Sequence, residues 1–160
     1  NTPLLIVNSD QYLDWNPRKF AERMHADRAR GIDGCSFTFN VPMEKQDSKW
    51  GYVRTDETGF IVDCKPKVVI SSNAEVGAYY FARGSDFVRL ASQMVTVPKG
   101  AAGDQRAPNG ELYVSAVYNL GVREGQRYTL FREGEGFDRM WGLGVPEDLD
   151  VFRKTHPKFR

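Results

Sequence analysis

Four consecutive aliphatic residues, Leu4-Leu5-Ile6-Val7, run straight into the polar, turn-forming triplet Asn8-Ser9-Asp10. A strand that is apolar at every position needs cover on both faces. Such strands belong to the interior of mainly parallel sheets with helices above and below. The run therefore predicts an α/β fold with a mixed, mainly parallel sheet flanked by helices. Open α/β sheets bind ligands just beyond the carboxyl ends of their strands, and Asp10 stands there.

The rest of the chain alternates in the same sense. Asn16-Pro17 makes an N-cap and first-turn pair, and Gly31 a stop, so residues 17–30 read as a helix with Phe20, Ala21 and Met24 on one face. Cys35, Phe37, Phe39 and Val41 alternate with polar partners as a strand. Residues 50–54 and 60–64 flank Asp56-Glu57-Thr58-Gly59, a hairpin signal in which Gly59 can take a positive φ. An apolar strand segment is expected at 68–70. A second strand is expected at 75–82, with Gly77 marking a bulge or a close ligand approach. Ser85 is placed to cap a helix carrying Phe87, Leu90, Ala91 and Met94. Residues 96–110 hold Pro98, Gly100, Gly103, Pro108 and Gly110 and read as a long flexible loop. Leu112, Ala116, Val117 and Leu120 recur at helical spacing, predicting a helix over 111–120. Tyr128 and Leu130 indicate another strand, and Pro146-Glu147-Asp148 opens a last helix with Leu149 and Phe152 inward. Residues 1–160 thus read as one domain.

Charge and cysteine usage narrow the function. Twenty-two Lys+Arg against 21 Asp+Glu leave a formal charge of +1 with no long basic run, which argues against nucleic acid as a partner. The longest apolar run is far short of the ~20 residues that span a bilayer, and no basic–apolar–small leader pattern is present, so no membrane partner is expected. Cys35 and Cys64 lie far apart with no metal-ligand spacing, and only two histidines exist. The expectation is a cytoplasmic protein with both thiols reduced.

Three side chains carry candidate chemistry. Asp10, past a strand end, could hold Mg²⁺ against phosphate oxygens, since that ion prefers few carboxylates plus phosphates and water; Asp is also a common turn former. Lys67 could meet a phosphate as a point charge, or be a solvated edge-strand lysine. Glu111 could accept from sugar hydroxyls, or serve the dipole of a helix first turn. Trp50, Tyr79, Tyr80, Tyr113 and Trp141 offer stacking surface or core.

The order of these pieces is more specific than any one of them. Leu5-Ile6-Val7-Asn8-Ser9-Asp10-Gln11 resembles the metal-binding strand end of sugar-phosphate nucleotidyltransferases (nucleotide-sugar pyrophosphorylases), a family with a GT-A-like fold. Trp50-Gly51-Tyr52-Val53 with Asp56 and Gly59, Lys67-Val68-Val69-Ile70-Ser71, and Gly77-Ala78-Tyr79-Tyr80-Phe81 are similar to later segments of that family. So is Gly110-Glu111-Leu112-Tyr113-Val114-Ser115 with Tyr118-Asn119. Gly142-Leu143-Gly144-Val145-Pro146-Glu147-Asp148-Leu149 is close to its Gly-Leu-Gly-Thr-Pro-Glu-Asp-Leu ending. The resemblance implies an enzyme that joins a nucleoside triphosphate and a sugar 1-phosphate, giving a nucleotide sugar and pyrophosphate, with Mg²⁺ as cofactor. Cell-wall, capsule and glycolipid precursors are all compatible products. It implies Asp10 as metal ligand and catalytic residue, Lys67 as phosphate contact and catalytic residue, Gly51 as the place where backbone approaches the sugar, and Glu111 as a further sugar contact.

The departures are equally specific. The family's Gly-rich nucleotide loop, which precedes the metal strand, has no counterpart. The glutamate often found before the lysine is Pro66, the second metal aspartate of related branches aligns with Gly142 while Asp138 lies nearby, and the Thr of the ending is Val145. The expectation is the carboxyl-terminal part of a catalytic domain, inactive or nearly so by itself. Its first strand would lack a covering neighbour and drive a two-fold dimer. The rivals are a GT-A glycosyltransferase, whose usual Asp-x-Asp motif Asp10-Gln11-Tyr12 does not supply, and a non-catalytic nucleotide-sugar binding remnant.

Overall fold

The computed structural model describes residues 2–132 and 140–159. The elements run β1 (Leu4–Val7), β2 (Gln11–Leu13), α1 (Pro17–Ala29), β3 (Gly34–Asn40), β4 (Tyr52–Thr55), β5 (Ile61–Lys65), β6 (Asn73–Phe81), α2 (Gly84–Thr96), α3 (Val117–Arg123), β7 (Tyr128–Phe131), β8 (Met140–Gly142) and α4 (Pro146–Thr155). Six strands form one sheet in the order β5-β4-β6-β3-β7, with β1 added beside β6; β2 and β8 form a separate two-stranded ribbon.

The mixed α/β fold is as the sequence indicates, but the mainly parallel pairing is corrected. Among the described strands of the large sheet only β3 and β7 run parallel; β1/β6, β3/β6, β4/β5 and β4/β6 are antiparallel. The four-aliphatic run does not mark the interior of the sheet. β1 lies at the sheet margin, where Leu4 and Ile6 pack on one core cluster and Leu5 and Val7 line a small apolar hollow with Phe37 and Ala78 on the other face. Both faces are apolar, yet Leu5 and Val7 remain 37% and 50% exposed.

Two cores sandwich the sheet. On one face Phe20 and Met24 of α1 meet Cys35, Phe37, Phe39, Val76, Ala78 and Tyr80. On the other, Leu90 and Met94 of α2 and Val117 and Tyr118 of α3 meet Val53, Ile61, Tyr79 and Phe81. α1 starts where expected because the Asn16 side chain accepts the Arg18 and Lys19 backbone N–H groups ahead of a Pro at its first position. At α2 the cap position is Arg83 rather than Ser85, and its guanidinium bridges Asp33 and Asp86. Cys35 and Cys64 are free thiols, one in each core, and burial pushes both up.

Two segments depart from their sequence pattern. Residues 68–70 form no strand, because Lys67 takes a left-handed φ of 61° and turns the chain. The helix expected over 111–120 begins later, as a short 3-10 turn at Val114–Ala116 followed by α3. Tyr113 stays extended, while the Asn109 side chain accepts the Glu111 N–H and holds the preceding residues in a turn. Residues 98–110 fold as successive turns, in which the Asp104 carboxylate accepts the Gly100 N–H and pairs with Arg106 at 2.7 Å.

Gly77 is where the pattern signalled an irregularity. Its φ is +79° and the β3/β6 register shifts between Ser36 and Thr38. The Asn8 side chain fills the place a Cβ would take on Gly77, and the Asn8 N–H donates to the Gly77 carbonyl at 2.9 Å. The bulge therefore fixes the turn that delivers Asp10.

Candidate active-site cleft

A cleft of about 780 Å³ opens where three parts of the chain converge. The turn after β1 contributes Asn8, Asp10 and Gln11. The entry to β4 and the turn after β5 contribute Lys49, Trp50, Gly51, Pro66 and Lys67. The ribbon and the start of α4 contribute Trp141, Gly142, Gly144 and Asp148. Glu75, Gly77 and Tyr79 of β6 and Tyr113 and Ser115 complete the wall.

Asp10 is exposed at the rim, and its carboxylate makes no hydrogen bond or ion pair with the described residues. Its position is braced from the far end of the chain. The Leu143 N–H donates to the Asp10 carbonyl at 2.7 Å, and Gln11 pairs with Gly142 across the ribbon. A Cβ on Gly144 would come within 2.9 Å of the Asp10 Oδ2, so glycine there leaves the carboxylate its place. Rings of Tyr12, Trp141, Phe152 and His156 pack together and hold α4 on the ribbon.

Lys67 reaches the same cleft. Its ammonium donates to the Lys49 carbonyl at 2.6 Å and lies 5.6 Å from the centre of the Tyr113 ring. The Lys49 ammonium sits 4.5 Å from the centre of the Trp50 ring. One of the three Lys67 N–H groups is thus spent on the backbone, which leaves two for an anion.

Gly51 lines the cleft and accepts the Glu75 N–H at 2.9 Å. Glu111 is not part of the lining. It is exposed and accepts from the Tyr113 hydroxyl (2.6 Å) and the Asn109 amide (2.8 Å). The Tyr113 bond, the Asn109 bond and nearby Lys67 hold its carboxyl below the usual range. Glu111 thereby orients Tyr113, which does face the cleft. Asp138 lies outside the described residues.

The sequence reading passed over Glu75. It is 6% exposed in the wall of the cleft. Burial pushes its carboxyl up to about 7 against the pull of hydrogen bonds from Ser115 and Ser36. A glutamate inside the run Ala74-Glu75-Val76-Gly77-Ala78-Tyr79 was the available signal, since charged side chains rarely occupy buried strand positions.

No protein-family model matches the chain, and no curated protein matches it. Solved structures do. A nucleoside-diphosphate-sugar pyrophosphorylase from Vibrio cholerae RC9 superposes with a TM-score of 0.70 at 19% identity, over 95% of this chain and 56% of that one. A UDP-glucose pyrophosphorylase complexed with UDP-glucose gives 0.69 at 17% identity, over 100% of this chain and 58% of that one. The chain therefore has the nucleotide-sugar pyrophosphorylase fold and spans little more than half the length of these relatives. Among the described residues no helix is long and apolar enough to cross a membrane.

Proposed function

We propose that the cleft is the sugar- and metal-side half of a sugar-phosphate nucleotidyltransferase site, working in the cytoplasm on a nucleoside triphosphate and a sugar 1-phosphate. The observation that carries this reading is the convergence of Asp10, Gly51 and Lys67, far apart in sequence, on one cleft of a chain with the pyrophosphorylase fold. In-line attack of a sugar phosphate on an α-phosphorus demands mostly positioning and charge neutralisation. Lys67 supplies a fixed cation backed by the Lys49 carbonyl. Gly51 lines the cleft beside the Glu75 carboxylate, and Tyr113, oriented by Glu111, offers a ring face and hydroxyl to a sugar.

Magnesium fits this donor set. Asp10 presents an exposed carboxylate with no partner among the described residues, and these contain no group of three or more His, Cys, Asp or Glu that would cage a metal. An ion held by Asp10, with phosphates and water completing its shell, suits Mg²⁺ and would supply neutralisation of the phosphate charge.

The test is calorimetric titration of the chain with UDP-glucose in the presence of Mg²⁺, followed by product formation from labelled nucleoside triphosphate and candidate sugar 1-phosphates. Saturable UDP-glucose binding is expected. Absence of binding to the intact chain would overturn the assignment of the cleft. The glycosyltransferase and binding-remnant rivals would show themselves as sugar transfer from the nucleotide sugar, or as binding without turnover in a form of the protein that also supplies a nucleotide loop.

A further inference from the structure

Glu75 is a buried carboxyl facing this cleft, and the reaction outlined above gives it no task. Its Oε1 accepts from the Ser36 hydroxyl at 3.2 Å, and Ser115 hydrogen-bonds it as well. No lysine, arginine or histidine among the described residues comes within ion-pair distance of it. Its Oε2 occupies the space a side chain on Gly51 would fill, beside Pro66. The carboxylate thus reaches the cleft floor through the gap that Gly51 leaves, next to the turn that carries Lys67. Two serine donors stabilise its anion from within the protein, while its second oxygen is left toward the cleft.

We propose that Glu75 is the specificity-determining residue of the cleft, its Oε2 accepting a hydrogen bond from a sugar hydroxyl of the bound nucleotide sugar. This inference rests on the reading of the cleft as a nucleotide-sugar site. A buried acceptor built for a hydroxyl discriminates strongly, because a ligand without that hydroxyl leaves it unpaired. The anion is the stronger acceptor, so binding favours ionised Glu75.

The groups around it define how pH acts. On its own strand stands Tyr79, on β5 Cys64, on α3 Tyr118; burial pushes all three well above their ordinary values, so they stay neutral near pH 7. On β3 stands Ser36, and at the 3-10 turn Ser115. Across the cleft stand Lys49, Lys67, Tyr113, Asp10 and Asp148.

The experiment compares UDP-glucose with UDP on wild type and Glu75→Gln at pH 8. The variant is expected to lose roughly tenfold in UDP-glucose affinity while binding UDP as wild type does, which also shows that it has folded. Because Glu75→Gln could disturb folding, a second measurement uses wild type alone. UDP-glucose carries no group titrating between pH 6 and 8, and its affinity should rise toward tenfold over that span as Glu75 ionises. Equal losses for UDP and UDP-glucose, or a wild-type UDP-glucose affinity that does not move with pH, would overturn the inference and leave the cleft assignment standing. Wild type that binds neither ligand would overturn both.

Discussion

Lys67 carries the clearest conflict between backbone comfort and position. A left-handed φ of 61° disfavours a side-chain-bearing residue by about 1 kcal/mol or more, and glycine would relieve it. Lys67→Gly should therefore raise stability toward denaturant by up to about 1 kcal/mol while weakening UDP-glucose binding, whereas Lys67→Ala should weaken binding without that gain. Unchanged affinity in Lys67→Gly would remove Lys67 from the phosphate site. The sequence revealed the lysine but not its conformation, because Val68-Val69-Ile70 after it reads as a strand. Glu75 supplies a stability prediction with a definite sign. Its folded value of about 7 lies above the ordinary 4.5, so the neutral form is the better accommodated one. Its contribution is fully present below about pH 4.5, falls as pH rises toward 7, and is flat above. The loss is about 3 kcal/mol at most. Chemical denaturation at pH 5 and pH 8 should show this decline in wild type relative to Glu75→Gln; parallel profiles would show that the carboxyl is not held as described. For Asp10, Asp10→Asn should lower Mg²⁺-dependent binding of UDP-glucose and leave the melting temperature unchanged within error, since the carboxylate makes no bond to the described residues.

At the level of elements, the entry to β4 is locked to β6 by Gly51. The Gly51 carbonyl accepts the Glu75 N–H, and a Cβ at Gly51 would collide with the Glu75 carboxylate. Gly51→Ala should cost about 1–3 kcal/mol, and Gly51→Ala with Glu75→Ala should recover part of it. A double-mutant cycle with no coupling between the two would contradict the contact. Elements with local signals were legible: the Asn16-Pro17 cap of α1, the Asp56–Gly59 turn between β4 and β5, and the bulge at Gly77. Elements decided by tertiary contact were not. Leu112, Ala116, Val117 and Leu120 keep a helical spacing, but the Asn109, Glu111 and Tyr113 hydrogen bonds draw the first of them away from the helix. Strand direction was likewise hidden, because an apolar run on β1 looks the same whether it is interior and parallel or marginal, with a core on one face and a small apolar hollow on the other.

For the molecule as a whole, β1 pairs only with β6 among the described strands and leaves one edge with Leu5 and Val7 partly exposed. Such an edge favours pairing with another copy. Light scattering should show a dimer, converted to monomer by Val7→Lys; a concentration-independent monomer in wild type would contradict this. The cleft itself could be foreseen only as a set of motifs. That they meet depends on β2 and β8, three residues each, whose pairing spans nearly the entire chain and leaves no mark in local sequence. The same ribbon has a temporal consequence. A ribosome adds roughly 5–20 residues per second, so the strand that braces Asp10 emerges on the order of ten seconds after Asp10 itself. During that interval the nascent chain can close its sheet but has no finished cleft. Whatever the cleft binds can therefore select completed molecules, and cannot act as a template for their folding.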